Sequence, residues 1–324
     1  MNSFSYKLKD EVAQIIPTGD ESISELSAII KSCGEIIKNK NQQKIVLYTE
    51  LESVANLLTD IIKNFYGTQV KILQQNVSFL KTERFEITIP SSITQQVLLD
   101  TEVLQYDEDK YLNFVQGISK YQIDEEAKEL AFLRGVFLGA FSCNISTNKS
   151  KIDSTSVVKS HSGYHAEFVF SNEAFAQDFC FLLADFDIIS KMTKRKNRFV
   201  VYVKGIDMIS DLFALVGASK GVISLQNESV LRSIRNSINR QNNCINANLS
   251  KTVDASVKQM QVIDKIKSTI GFETLDESLR ETVYLRIANP EESLDELVKL
   301  SNSKITKSGL YHRFKKLEEI AKNL

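Results

Sequence analysis

The 324 residues allow about two domains with ample core, and 43% hydrophobic with 25% charged residues is an ordinary globular composition. No apolar run approaches the ~18 residues of a membrane span, the first residues lack a signal-peptide core, and Cys33, Cys143, Cys180 and Cys244 form no CxxC pair. Membrane and disulfide-stapled classes are set aside, and a cytoplasmic protein with reduced thiols and net charge −1 is expected.

Residues 3–16 place Phe4, Leu8, Val12 and Ile15 on one face, an amphipathic helix that Ser3 or Ser5 can cap. Pro17-Thr18-Gly19-Asp20 ends it. A core helix follows over about 22–33, then strands at 34–38 and 44–49 around a polar turn. Residues 51–65 read as helix, 69–75 and 84–89 as a second hairpin, and 92–99 as a short helix after Pro90. The order is αββαββα. Residues 101–122 make a mixed, acidic connector, and then the order repeats. Its second copy has a helix over 125–141, strands at 142–146 and 164–170, and a helix over 172–184. Strands at 188–192 and 198–203 and a helix over about 206–216 complete it. An internal pseudo-repeat is the economical account.

Residues 131–142 are apolar almost all round, which predicts a helix buried on most sides. Gly135 and Gly139 lie four apart on one face and let another backbone come close. Placing Leu26 on Leu133 sets Ala28 opposite Gly135 and Ser32 opposite Gly139. Both core helices then carry small residues at matched positions.

Gly217-Ala218-Ser219-Lys220-Gly221 closes this part of the chain. Residues 228–267 are largely helical and rich in asparagine, including Asn236, Asn239, Asn243 and Asn246. Asparagine is a mediocre helix former, so a recognition helix and a polar interdomain helix both fit. Residues 229–253 hold Arg232, Arg235, Arg240 and Lys251 and no acid. Over residues 228–324, 16 Lys+Arg face 13 Asp+Glu, against 24 and 28 in residues 1–227. Helices over 275–288, 293–300 and 306–322 match a helix-turn-helix pattern, with Leu294, Leu297 and Val298 packing on Leu310, Phe314 and Leu317. A plain three-helix bundle would share that pattern. The expected domains are 1–217, a linking helical segment 218–274, and 275–324.

The two matched helices, each opening the same string of elements, resemble the paired helices of the LAGLIDADG homing endonucleases. In that family the eighth motif position carries the acidic metal ligand at the foot of each helix. Cys33 and Ala140 stand there in this chain, and neither side chain suits a hard divalent cation. Over nearly its whole length the chain resembles the WhiA family of sporulation and cell-division regulators. The residues that carry this are 22–34, 131–142, Ile234-Arg235-Asn236-Ser237-Ile238-Asn239-Arg240 through Thr252, and 305–317. The resemblance implies an α+β fold. Its N-terminal LAGLIDADG-like domain would be pseudo-twofold, with two αββαββα halves, and an all-α helix-turn-helix domain would follow. It implies sequence-specific binding of double-stranded DNA and transcriptional control in the nucleoid, with no nuclease activity and no cofactor. A protein partner, such as a co-regulator or RNA polymerase, is compatible with it. Phe141 departs from the family, replacing a usual glycine, which bears on how closely the two helices pack near their C-terminal ends.

On this reading Thr306 caps the recognition helix, and Lys307, Ser308, Tyr311 and His312 are candidates for base-edge contact. Lys304, Arg313, Lys315 and Lys316 would hold phosphates, and Arg232, Arg235, Asn239 and Arg240 would add affinity. His161 and His165, with Cys143 the one soft ligand near them, fall short of a zinc set. No Walker A or GxGxxG sequence occurs. The alternative is an active LAGLIDADG endonuclease whose metal ligands are other acids, for instance Glu25 or Glu35.

Overall fold

The computed structural model describes residues 3–39, 42–77, 82–144, 164–301 and 304–324. The chain divides into two compact units, Met1–Val230 and Leu231–Leu324.

The first unit opens with α1 (Phe4–Val12), capped by the Ser3 hydroxyl on the Tyr6 amide and shorter than the 3–16 expected. Its first half runs α2 (Asp20–Cys33), β1 (Gly34–Asn39), β2 (Gln42–Thr49), α3 (Glu52–Tyr66), β3 (Ile72–Val77), β4 (Thr82–Ile89) and α4 (Ser91–Asp100). The second half runs α5 (Glu126–Ala140), β7 (Phe141–Asn144), β8 (His165–Phe170), α6 (Glu173–Asp185), β9 (Ser190–Arg195), β10 (Arg198–Lys204) and α7 (Ile206–Leu215). The sheets are antiparallel, ordered β1-β2-β4-β3 and β7-β8-β10-β9, so the pseudo-repeat holds at the level of topology. Strands 145–146 of the expected set lie outside the described residues. The connector between halves is more ordered than a mixed loop. It pairs β5 (Leu104–Tyr106) with β6 (Leu112–Phe114), and Asp107 ties the hairpin tip to the Tyr111 amide and the Asn113 side chain.

Each half buries one face of its sheet under helices, as period-2 alternation dictates. Ile45, Leu47, Ile87 and Ile89 fill the first core, and Phe168, Phe170, Val201 and Val203 the second. Between them α2 and α5 pack through their small residues. A Cβ on Gly135 would overlap the Glu25 carbonyl and come within 2.6 Å of the Ala28 Cβ; one on Gly139 would come within 2.8 Å of the Ser32 Cβ. The pairing read from the sequence is the pairing in the fold. Phe141 does not loosen it, because its ring turns into the second core and stacks on Phe137 at 4.0 Å.

After Gly217, held at φ +83°, α8 (Ser219–Thr269) begins nine residues earlier than expected and runs on into the second unit. The Glu11 carboxylate explains its start. It accepts hydrogen bonds from the Lys220 and Gly221 amides at 2.7 and 3.1 Å, satisfying donors that a helix N-terminus leaves free.

The second unit packs the end of α8 against α9 (Glu277–Ala288), α10 (Leu294–Leu300) and α11 (Lys307–Lys322). Ile263, Ile266, Leu279, Val283, Leu297, Leu310, Phe314 and Leu317 form its core. Leu294 and Val298 lie partly buried against it. Arg286 is buried there too, its Nε donating to Gln259 at 3.0 Å and its Nη1 to the carbonyls of Asn289 and Glu292 at 3.2 and 2.6 Å.

Candidate functional site

Helix α11 presents a sharply divided surface. Leu310, Phe314, Leu317 and Ala321 recur at helical spacing and are buried; Lys307, Ser308, Tyr311, His312, Lys315 and Lys316 are exposed. Thr306 caps the helix, its hydroxyl accepting from the Gly309 amide at 3.2 Å. The positive end of the helix and its first-turn side chains Lys307 and Ser308 thus stand in solvent together. The Tyr311 ring lies edge-on to His312 at 6.0 Å, and the Lys315 ammonium sits 5.7 Å from the Tyr311 ring. Lys304 is exposed just before the cap.

Two cations of this helix are engaged within the unit. Lys307 pairs with Asp295 of α10 at 2.5 Å across exposed surface, and Lys316 lies 3.5 Å from Asp276. Exposed pairs of this kind hold weakly and yield to a stronger anion. Arg313 corrects the sequence reading. Its guanidinium is half-buried and donates to the Ser278 carbonyl at 3.1 Å and to Glu281 at 3.3 Å, so it braces α11 on α9 and does not reach outward as a phosphate ligand would.

On α8, Arg235, Asn239 and Arg240 are exposed and Arg232 is half-buried. At 100° per residue Arg232, Arg235 and Asn239 share one side of the helix, whereas Arg240 falls farther round. Beside them runs a stripe of Leu231, Ile234, Ile238, Ile245 and Leu249, each 46–60% exposed.

The feet of α2 and α5 form the second place the sequence singled out. Cys33 and Ala140 end the two helices, and burial pushes the Cys33 thiol up to about 11, which keeps it neutral. A cleft of about 600 Å³ opens there. The first half contributes two carboxylates to it, Glu35 on β1 and Glu50 after β2; from the second half come Leu138, Gly139, Phe141 and Ser142, none of them acidic. Across its mouth lies α1, fastened by Ser5, whose Oγ accepts from the Cys143 amide at 2.8 Å and donates to the Cys143 carbonyl at 3.2 Å. Lys9 of α1 lines the cleft, and burial lowers its ammonium to about 8. Sequence reading missed Lys9, since nothing in a one-face helix pattern says what its flank covers. It also missed Arg286, because a buried arginine looks like any exposed one until its acceptors are known.

Glu25, one of the acids weighed as a displaced ligand, stands elsewhere. It lies eight residues before Cys33, about 12 Å up the helix, and is fully buried between α2 and α5. Arg134 of α5 reaches it at 3.4 Å and Glu21 at 3.5 Å, while its Oε1 has no hydrogen-bond partner among the described residues. Desolvation raises its carboxyl to about 7 against the opposing pull of Arg134. His165 is likewise occupied, 2.6 Å from Glu167 and stacked on Tyr202; His161 lies outside the described residues.

Comparison with known proteins covers the whole chain. Residues 20–104 match the "WhiA N-terminal LAGLIDADG-like domain", 152–235 the "WhiA LAGLIDADG-like domain" and 238–321 the "WhiA C-terminal HTH domain". The "Probable cell division protein WhiA" of Clostridium perfringens strain 13 is 32% identical over 99% of this chain and 98% of its own length. That of Thermoanaerobacter sp. strain X514 is 35% identical over the same shares. The crystal structure of full-length DUF199/WhiA from Thermatoga maritima superimposes with a TM-score of 0.55 at 24% identity, covering 100% of this chain and 99% of that one. With two LAGLIDADG-like halves, a C-terminal helix-turn-helix and near-complete coverage of its relatives, the chain belongs to the WhiA family.

Proposed function

We propose that this protein is a sequence-specific, double-stranded-DNA-binding transcription regulator in cell-division or sporulation-type control, whose LAGLIDADG-like unit does not cut DNA. The observation that carries the reading is the exposed first half of α11, with its Thr306 cap and Lys307, Ser308 and Tyr311 in solvent, on a buried helix-turn-helix core. Ser308, Tyr311, His312 and Lys307 take base edges in this proposal; Lys304, Lys315 and Lys316 take phosphates. Arg232, Arg235, Asn239 and Arg240 of α8 extend the contact. Loss of cutting rests on chemistry: two-metal hydrolysis needs carboxylates contributed at both helix feet, and Cys33 and Ala140 supply none.

Glu35 and Glu50 in the cleft favour one other reading, an endonuclease with a single displaced acidic site. One experiment separates the two. The full chain is offered a pool of random-sequence duplexes, and bound molecules are recovered after incubation with Mn²⁺. Enrichment of a defined sequence, with its strands intact, is expected. Recovery of the pool without enrichment would overturn the regulator, and nicking abolished by EDTA would establish the endonuclease.

A further inference from the structure

Within α8 every residue from 233 to 251 is exposed, about five turns of helix on which no described element packs. Farther along, the same helix is covered by its own unit. Ser256 donates to the Pro290 carbonyl, Gln259 accepts from Arg286, and Ile263 and Ile266 enter the core.

A bare helix of this composition should fray. It carries Asn236, Asn239, Asn242, Asn243, Asn246 and Asn248, mediocre helix formers, and helices in proteins draw most of their stability from a packed face. Such a face is present. Ile234, Ile238, Ile245, Leu249 and Val253, each 48–60% exposed, fall together with Asn242 within about 100° of arc. Arg240 lies on the opposite side of the helix. Five aliphatic side chains in one stripe offer nothing to a polyanion; they suit another protein surface.

The spacing identifies the occupant. From Ile234 through Ile238, Asn242, Ile245 and Leu249 to Val253 the steps are 4, 4, 3, 4 and 4, the same from either end. A foreign partner has no need of that symmetry. A second copy running antiparallel does, because a two-fold contact pairs residue i with j and j with i. About a midpoint between Asn243 and Cys244, Ile234 faces Val253 of the other copy, Ile238 faces Leu249, and Asn242 faces Ile245. Rows of side chains four apart packing into one another's grooves are the commonest helix contact. The two Asn242 amides then lie about 4.5 Å apart along the axis, near enough to bond across it. A single amide in an apolar seam fixes register.

Charge selects the direction. In a parallel pair Arg235 would face Arg235 and Lys251 would face Lys251, with no acid between residues 229 and 253 to offset them. In the antiparallel register Arg232 meets Ala255, Arg235 meets Thr252 and Lys251 meets Asn236, so no cation stands opposite another.

We infer that residues 234–253 of α8 form an antiparallel, two-fold helix pair between two copies of this chain, centred on Ile238 and Leu249. The contact is independent of the DNA-binding reading, since Asn236, Arg240 and Asn243 stay on the outer side of the pair.

The test is sedimentation of the full-length chain across the micromolar range. A contact of two helices is small, so a dissociation constant on the order of micromolar is expected. Ile238→Glu/Leu249→Glu places good helix formers on exposed positions. It should melt like wild type while weakening dimerisation about a hundredfold or more. Disulfide capture in a Cys244→Ser background reads the direction. Ile238→Cys mixed with Leu249→Cys should give a cross-linked dimer. Either variant alone should not, because like positions lie about 16 Å apart along the axis. A chain that stays monomeric throughout, or a dimer that survives Ile238→Glu/Leu249→Glu, would overturn the inference. Capture of either cysteine variant with itself would overturn the antiparallel arrangement.

Discussion

In the first half of the LAGLIDADG-like unit, α2 carries Ser22, Ser24, Glu25 and Ser27 on its buried surface, and the core beside it is aliphatic. In the second half, α5 carries two glycines, and the core is a lattice of phenylalanines, with Phe168 and Phe179 at 4.8 Å and Phe170 and Phe175 at 5.2 Å. The strand order is the same in both. Shape and alternation therefore preserve the fold while the identity of nearly every filling residue changes, provided the seam between α2 and α5 stays thin. The outer surfaces have diverged further, the β3–β4 hairpin neutral and the β9–β10 hairpin strongly basic. Pseudosymmetry survives where backbones touch and lapses where solvent or a ligand is the neighbour.

The seam offers the harshest way to break this comparison. Gly135→Ala should cost about 3 kcal/mol, the upper end of ordinary overpacking, because its Cβ meets backbone that can move only by parting the helices. Gly139→Ala should cost less, about 1 kcal/mol, since its nearest approach, 2.8 Å to the Ser32 Cβ, is a shallower overlap than the 2.4 Å at the Glu25 carbonyl. Thermal melts of the full chain would measure both. Equal midpoints for the two variants would mean that the contact at Gly135 is not the tight point of the seam.

Glu25 gives a smaller, pH-dependent effect on the same seam. Its carboxyl titrates near 7 when folded, against 4.5 as the ordinary value, so the folded state holds a proton that the unfolded chain has released. Its contribution to stability is greatest below pH 4.5, falls as pH rises toward 7, and is lost above that. Arg134 and Glu21 are the charged groups beside it. Glu25→Gln keeps the shape and removes the titration, and should stabilise the protein above pH 7 by about 2 kcal/mol. Melting from pH 4.5 to 8.5 would show wild type losing stability relative to the variant. Parallel profiles would place the ionised carboxylate, satisfied by Arg134, in the seam.

What could be read from the sequence followed from periodicity. The αββαββα order, the Ala28–Gly135 and Ser32–Gly139 matches, and the split of α11 into Leu310, Phe314 and Leu317 against Tyr311 and His312 need only 2- and 3.6-residue repeats. What could not be read depends on a distant partner. Glu11 caps α8 from more than two hundred residues away, Arg313 turns inward because Glu281 and the Ser278 carbonyl await it, and Lys9 reaches the cleft because Ser5 pins α1 to Cys143. The short β5–β6 pair was hidden for a different reason, since three-residue strands leave almost no alternation to detect.

The central claim, that sequence is read by the start of α11, has a direct measurement. Affinities of Tyr311→Ala and Lys304→Ala for the preferred duplex and for random DNA, compared over a range of salt, separate base contact from phosphate contact. Tyr311→Ala should lose about 1–3 kcal/mol on the preferred duplex and little on random DNA, with its salt slope unchanged. Lys304→Ala should weaken both duplexes alike and lower the slope by about one unit. If Tyr311→Ala keeps the full preference of the wild-type chain, α11 does not read bases through this face, and the account is contradicted at its centre.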